Sequence, residues 1–233
     1  MSQRNEVTAF ILAGGASSRM GCHKGLLKFA GEPLIVRTAR LLEPRVSRVL
    51  LIGPAGPYRR LGLQIVPDRI PGMRRVAAYQ GPLAGIVTAL GAASTPWSLI
   101  LACDLPYLTG EWIDFLLSRA VQSGAQAFVP RTPGGLEPLA AVYRRDASAA
   151  LAEAFRNGIR KVTEALAMIR VETFALEDFA GHEHNERVLK NMNTLKDFAL
   201  AKEWWLSREP QKIEGLKSRR PPRSRQSAPR LNK

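Results

Sequence analysis

Two cations and a glycine pair lie close together near the start of the chain, in the stretch Leu12-Ala13-Gly14-Gly15-Ala16-Ser17-Ser18-Arg19-Met20-Gly21-Cys22-His23-Lys24. Glycines let backbone N–H groups approach an anion closely, and a guanidinium and an ammonium add two phosphate-seeking charges. The stretch lacks the Gly-Lys-Ser/Thr of a Walker A loop. It also lacks the G-x-G-x-x-G of dinucleotide sites, which argues against hydride transfer. Asp104, in Cys103-Asp104-Leu105-Pro106, is a single carboxylate closing an apolar run. Alone it would read as a turn or helix-capping aspartate. Paired with the Arg19/Lys24 loop it reads as a seat for Mg²⁺ beside a triphosphate, because Mg²⁺ takes few carboxylates and leaves its other positions to phosphates and water.

Other chemically suggestive residues have plainer readings. His182-Glu183-His184 lies in a polar stretch and lacks the helical His spacing of zinc sites, so it reads as a solvated loop. Cys22 and Cys103 flank the loop and the aspartate without a visible base partner, and read as small packing residues. Two cysteines cannot build a disulfide framework. Trp204-Trp205 reads as a packing anchor on a last helix.

Short apolar runs alternate with amphipathic stretches from residue 7 to about 205. Strands are expected at Val7–Leu12, Arg48–Ile52, Leu63–Val66, Trp97–Ala102, Ala127–Pro130, Leu139–Tyr143 and Arg170–Phe174. Helices are expected at Pro33–Leu42, Leu83–Ala93, Gly110–Gln122, Ala147–Asn157, Lys161–Met168 and Thr194–Leu206. Strands apolar on both faces, alternating with helices, predict a single Rossmann-like three-layer α/β/α domain around a mostly parallel sheet. In such sheets ligands bind outside the carboxyl ends of the strands. Gly14-Gly15, Gly53, Asp68 and Asp104 each follow one of the first four strands, which singles out one crevice.

The chain has 233 residues, 45% of them hydrophobic, and a net charge of +14. That is enough apolar material for one sizeable core and argues against disorder throughout. Residues 207–233 hold nine of the 34 Lys/Arg and two of the 20 Asp/Glu, so half the net charge lies in the last 27 residues, together with four prolines. Such a segment cannot recover its ordering entropy by burial. The organisation expected is therefore a domain over 1–206 and a basic, disordered tail over 207–233. The opening residues lack the apolar run of a signal peptide, and no stretch approaches the ~18 apolar residues of a membrane span. A cytoplasmic protein without a membrane span is expected.

Taken together, the motifs resemble one family. Leu12-Ala13-Gly14-Gly15, Arg19-Met20-Gly21 and Lys24-Gly25-Leu26-Leu27 are similar to the signature of the molybdenum cofactor guanylyltransferases within the MobA-like nucleotidyltransferases. The resemblance continues through Gly31-Glu32-Pro33-Leu34, Val66-Pro67-Asp68, Gly81-Pro82-Leu83-Ala84-Gly85 and Cys103-Asp104-Leu105-Pro106 to Asn191-Met192-Asn193-Thr194. It spans roughly residues 7–205 in order. It implies transfer of GMP from Mg·GTP to the terminal phosphate of molybdenum-molybdopterin, with release of pyrophosphate. By the same resemblance Leu12, Ala13, Gly14 and Gly15 line the guanine and ribose, and Arg19 and Lys24 bind phosphates. Gly53, Asp68, Gly81 and Gly85 help to hold the nucleotide, Asp104 binds nucleotide and Mg²⁺, and Asn191 and Asn193 lie on the acceptor side.

The chain departs from the family pattern at His23, where an aspartate is frequent, at Leu195, where a proline is usual, at Gly53, near a position that is often polar, and in its basic tail. The alternative within the enzyme class is a cytidylyltransferase of the same cofactor, or a relative with another phosphorylated acceptor. Gly15 favours guanine, since the cytidylyl relatives resemble Leu-Ala-Ala-Gly. The expected partners are GTP and the molybdopterin cofactor, with molybdenum-cofactor delivery proteins or acceptor apoenzymes beyond them. Nucleic acid is expected only as a non-specific polyanion on the tail, and the expected state is a monomer or weak homo-oligomer.

Overall fold

The computed structural model describes residues 3–14, 23–67, 80–179 and 187–207. Strand β1 (Val7–Leu12) is buried at every position and lies at the centre of an eight-stranded sheet. The other elements follow in chain order. A short hairpin, β2 (Lys28–Phe29) and β3 (Glu32–Pro33), leads into helix α1 (Leu34–Leu42), strand β4 (Arg48–Ile52), the single turn α2 (Ala55–Tyr58) and strand β5 (Gln64–Val66). Helix α3 (Pro82–Ala92), strand β6 (Trp97–Ala102), helix α4 (Gly110–Gln122) and strands β7 (Ala127–Thr132), β8 (Gly135–Leu136) and β9 (Ala140–Arg144) come next. Helices α5 (Ser148–Arg156) and α6 (Val162–Ala165), strand β10 (Val171–Ala175) and helix α7 (Leu195–Leu206) complete the domain.

The sheet order is β10-β7-β9-β6-β1-β4-β5, with β8 paired to β7. Side chains alternate across β1 as strand geometry requires. Val7, Ala9 and Ile11 pack with α1 and α4 residues such as Ile35, Leu42, Trp112 and Leu116, while Phe10 and Leu12 pack with α3 and α5 residues such as Ile86, Val87, Leu151 and Phe155. Both faces are therefore covered, giving the three layers expected. At ~1.5–3 kcal/mol for each fully buried large aliphatic or Phe side chain, these two clusters are the main source of cohesion.

Most expected elements lie within one or two residues of their observed ends. Three differences have physical causes. Strand β9 runs antiparallel to both β6 and β7. Only residues 133–139 join β7 to β9, too few for the crossover that a parallel neighbour requires. The expected helix over Lys161–Met168 is one α-turn, α6, continued by a 3₁₀ turn over Leu166–Met168. The β2–β3 hairpin was not anticipated; its turn uses Ala30 at φ 49° and Gly31 at φ 85°, the left-handed pair that a two-residue hairpin loop requires.

The chain passes from β1 through α1 to β4 on one side, then from β5 through α3 to β6 on the other side of β1. The reversal falls between β1 and β6, the place where such a sheet opens a crevice at its carboxyl edge.

Candidate functional site

The carboxyl ends of β1, β4 and β6 are tied into one edge by backbone hydrogen bonds. Ala13 N–H donates to the Ile52 carbonyl at 2.8 Å, and Cys103 N–H donates to the Leu12 carbonyl at 3.2 Å. Gly53 N–H donates to the Val66 carbonyl at 3.3 Å, so the end of β5 joins the same edge. Gly53 lies so near the first loop that a Cβ there would stand 3.2 Å from the Ala13 carbonyl carbon and 3.3 Å from the Gly14 nitrogen. The residue is a glycine because two backbones approach each other at that point.

Lys24 and Asp104 meet across this edge. The Lys24 ammonium donates to Asp104 Oδ2 at 2.8 Å and to Asn193 Oδ1 at 2.7 Å. The two charged side chains keep 18% and 19% of their exposure, so the pair is partly withdrawn from water yet open to a ligand. An ammonium has three donors, and these two bonds engage two of them. Lys24 opens a short 3₁₀ turn, Lys24–Leu26, held by Leu26 N–H to the His23 carbonyl and Leu27 N–H to the Lys24 carbonyl. The turn packs closely, for a Cβ on Gly25 would touch Ile35 and the Cys103 Cβ, each 3.4–3.5 Å away.

Asn193 reaches the pair from a segment whose position is fixed three ways. Met192 N–H donates to the Asp104 carbonyl at 2.9 Å, and the fully buried Met192 side chain packs with Phe29, Leu34, Tyr107 and Ala201. Exposed Asn191 and Asn193 alternate with buried Met192, as in an extended segment. Thr194 then caps α7, with Thr194 Oγ1 accepting from Asp197 N–H while the Asp197 carboxylate accepts from Thr194 N–H, a reciprocal capping box. The same carboxylate accepts from Asn193 N–H at 3.0 Å. These bonds, the one from Asn193 foremost, hold the Asp197 carboxyl below the usual carboxylate range. At the other end of α7, Trp205 Nε1 donates to the Pro106 carbonyl at 2.8 Å and Arg37 lies over the Trp205 ring, which fits the expected packing role.

Of the residues singled out from sequence, Leu12, Ala13, Gly14, Lys24, Gly53, Asp104 and Asn193 gather at this one edge. Asn191 is two residues away and exposed. Gly81, at φ 91°, is the N-cap of α3. Gly85 is buried in α3, where a Cβ would stand 3.1 Å from the Leu12 side chain, so its place in the structure is the close contact of α3 with β1. Gly15, Arg19, Cys22, Asp68 and the His182-Glu183-His184 stretch lie outside the described residues, as does the tail beyond residue 207.

Burial pushes the Cys103 thiol up to about 12, so it is not a thiolate nucleophile near neutral pH, in keeping with a packing residue. Two supports were not anticipated. Tyr58, fully buried in α2, donates to the Ala13 carbonyl at 3.4 Å and meets His23 edge to face at 5.6 Å. Asp197 is the other. Its signal was available in Thr194-x-x-Asp197 ahead of a helix, a variant of the capping-box pattern.

Asp104 fits a Mg²⁺ seat by its donor set. It is one strand-end carboxylate that keeps 19% of its exposure, and its Oδ1 accepts no hydrogen bond among the described residues. No group of three or more potential metal-ligating side chains occurs among those residues. A site with a single carboxylate suits an ion that arrives with phosphates, not one held in an all-protein cage. No helix among the described residues is long and apolar enough to cross a membrane.

A probable molybdenum cofactor guanylyltransferase from Pelotomaculum thermopropionicum is 34% identical over 198 residues, covering 84% of this chain and 92% of that protein. One of the same description from Carboxydothermus hydrogenoformans is 33% identical, covering 82% and 93%. Among solved structures, the molybdopterin-guanine dinucleotide biosynthesis protein A of Archaeoglobus fulgidus superposes with a TM-score of 0.73 at 23% identity, covering 86% of this chain and 99% of that one, a likeness of fold. The model of the MobA-like NTP transferase domain matches residues 9–171, which spans β1 to the start of β10 and includes both Lys24 and Asp104. The chain belongs to the MobA-like NTP transferase domain family and is a nucleotidyltransferase.

Proposed function

We propose that the protein transfers GMP from Mg·GTP to the terminal phosphate of molybdenum-molybdopterin, releasing pyrophosphate and forming the guanine dinucleotide form of the cofactor. The observation that carries this reading is the Lys24–Asp104 pair, 2.8 Å apart at the carboxyl edge between β1 and β6. The relatives described as guanylyltransferases at 33–34% identity supply the nucleotide and the acceptor.

The acceptor's chemistry agrees with the side chains present. A phosphate monoester has a second pKa of about 6 and is largely dianionic at pH 7. It is a nucleophile without a general base, so the protein's work is positioning and charge stabilisation around the α-phosphate. In this reading the first loop, with Gly14 beside Gly53, receives the nucleoside. The Lys24 ammonium, steered by Asn193, directs a donor to the phosphates, and Arg19 adds a second cation. Asp104 would hold Mg²⁺, which supplies positive charge against the triphosphate oxygens. Asp68, Gly81 and Gly85 complete the nucleotide side by direct contact or by shaping the backbone, and Asn191 and Asn193 face the acceptor. The domain over 1–206 contains all of these groups and the tail over 207–233 contains none.

Pyrophosphate release with molybdenum-molybdopterin and each of the four nucleoside triphosphates tests the reading. GTP should support turnover well above CTP, ATP and UTP. Preferential turnover of CTP would replace guanylyl by cytidylyl transfer.

A further inference from the structure

The Lys24 ammonium lies 2.8 Å from the carboxylate oxygen Oδ2 of Asp104. It stands where a cation bound to that oxygen would stand. A divalent ion on either oxygen of this carboxylate would have a like charge within a few ångströms at a partly desolvated site, where charge repulsion is stronger than in water. Lysine and metal therefore compete for the Asp104 carboxylate. Lys24 has somewhere else to go, because Asn193 Oδ1 holds the same ammonium at 2.7 Å and is itself anchored through the Asn193 N–H bond to Asp197. The ammonium can leave the carboxylate while keeping a protein partner, its other donors then being free for an anion.

We propose that Lys24 is a placeholder for the metal on Asp104: it neutralises the carboxylate in the nucleotide-free protein and moves off it when metal and triphosphate arrive together. The triphosphate makes the exchange favourable, because it offers the displaced ammonium new anionic oxygens. Metal alone offers none. The protein consequently takes up metal with nucleotide and rejects metal by itself, so Asp104 does not sit loaded with a stray divalent ion between turnovers. This proposal rests on the reading of Asp104 as the metal's ligand and concerns the order in which the groups arrive.

The test is direct binding of Mn²⁺ to the full chain with and without GTP, by equilibrium dialysis in which Mn²⁺ and GTP are equal on both sides, so that only ion held by the protein is counted. Wild type should bind Mn²⁺ at least about tenfold more weakly without GTP than with it. Lys24→Met, which keeps the stem and removes the charge, should bind Mn²⁺ without nucleotide about tenfold more tightly than wild type, the order expected for removing one nearby like charge. Adding Asp104→Asn to Lys24→Met should abolish that gain, and circular dichroism melting identifies any variant that has lost its fold. Equal Mn²⁺ affinity of wild type and Lys24→Met without GTP would overturn the placeholder. So would a gain that survives Asp104→Asn. If Asp104→Asn alone leaves Mn²⁺ binding in the presence of GTP unchanged, the metal-ligand reading itself fails, and that outcome is distinct from failure of the exchange.

Discussion

At the scale of single residues, the site depends on short polar contacts between groups far apart in sequence. Lys24, Asp104 and Asn193 come from a 3₁₀ turn, a strand end and the approach to the last helix. Asp104→Ala should abolish Mg²⁺-dependent transfer and leave the fold intact. Its side chain keeps 19% of its exposure and bonds to the Lys24 ammonium, while the structural link to Met192 runs through the Asp104 backbone carbonyl, which alanine retains. Pyrophosphate release together with a thermal melt checks both halves; near wild-type turnover would remove Asp104 from the chemistry. Lys24→Ala should slow transfer about 10²-fold, the scale of losing one preorganised charged donor. Gly53→Ala acts differently, because its Cβ would press on the backbone of Ala13 and Gly14. It should weaken nucleotide binding by shifting the first loop, which a GTP titration would read as a raised Kd. Residue types at strand ends made Lys24, Asp104 and Gly53 legible in the sequence. The contact of Asn193 with Lys24 was not, since 169 residues separate them and tertiary contacts, the Met192 bond to Asp104 and the burial of its side chain, bring them together.

At the scale of elements, α7 matters to the site through its first turn. The helix has Ala201 as its fully buried residue and is held at one end by its capping box and at the other by Trp205. Asp197→Ala should cost about 1 kcal/mol, the usual range for a lost capping interaction. It should also loosen Asn193. The pH dependence follows from the depressed Asp197 carboxyl. A depressed carboxyl contributes stability that is present above its unfolded value of about 4 and is lost as pH falls through the lower folded value. Melting temperatures measured from pH 6 downward should therefore fall more steeply for wild type than for Asp197→Ala once the pH drops below about 4. Parallel curves would show that the box contributes no pH-linked stability. Strand and helix positions were readable because burial sets the pattern: a continuous apolar run where a strand is covered on both faces, as at β1, and a 3.6-residue period where a helix is covered on one, as at α4. The antiparallel entry of β9 was decided by a short connection, and the hairpin before α1 by two left-handed residues. Neither is a matter of hydrophobic period.

At the scale of the whole molecule, charge and chemistry separate along the chain. Half of the net charge of +14 belongs to residues 207–233, whereas the cations of the candidate site come from the first strand's loop. Helix α7 fixes the distance between the two regions. It begins beside Asn193 and runs twelve residues to Leu206. At 1.5 Å per residue that places the start of the tail roughly 18 Å along the helix axis from the site. This exceeds the Debye length of about 8 Å at physiological salt, so charges near the start of the tail are largely screened from the crevice. A chain ending at Leu206 should consequently retain the full-length rate of guanylyl transfer at about 0.15 M salt. It should lose the salt-sensitive affinity for polyanions that a run of Lys and Arg confers. Parallel assays of pyrophosphate release and of retention on an immobilised polyanion separate the two properties. A large loss of transfer in a truncated chain that melts like the full protein would mean that the tail returns to the crevice, and residues 207–233 would then belong to the catalytic unit.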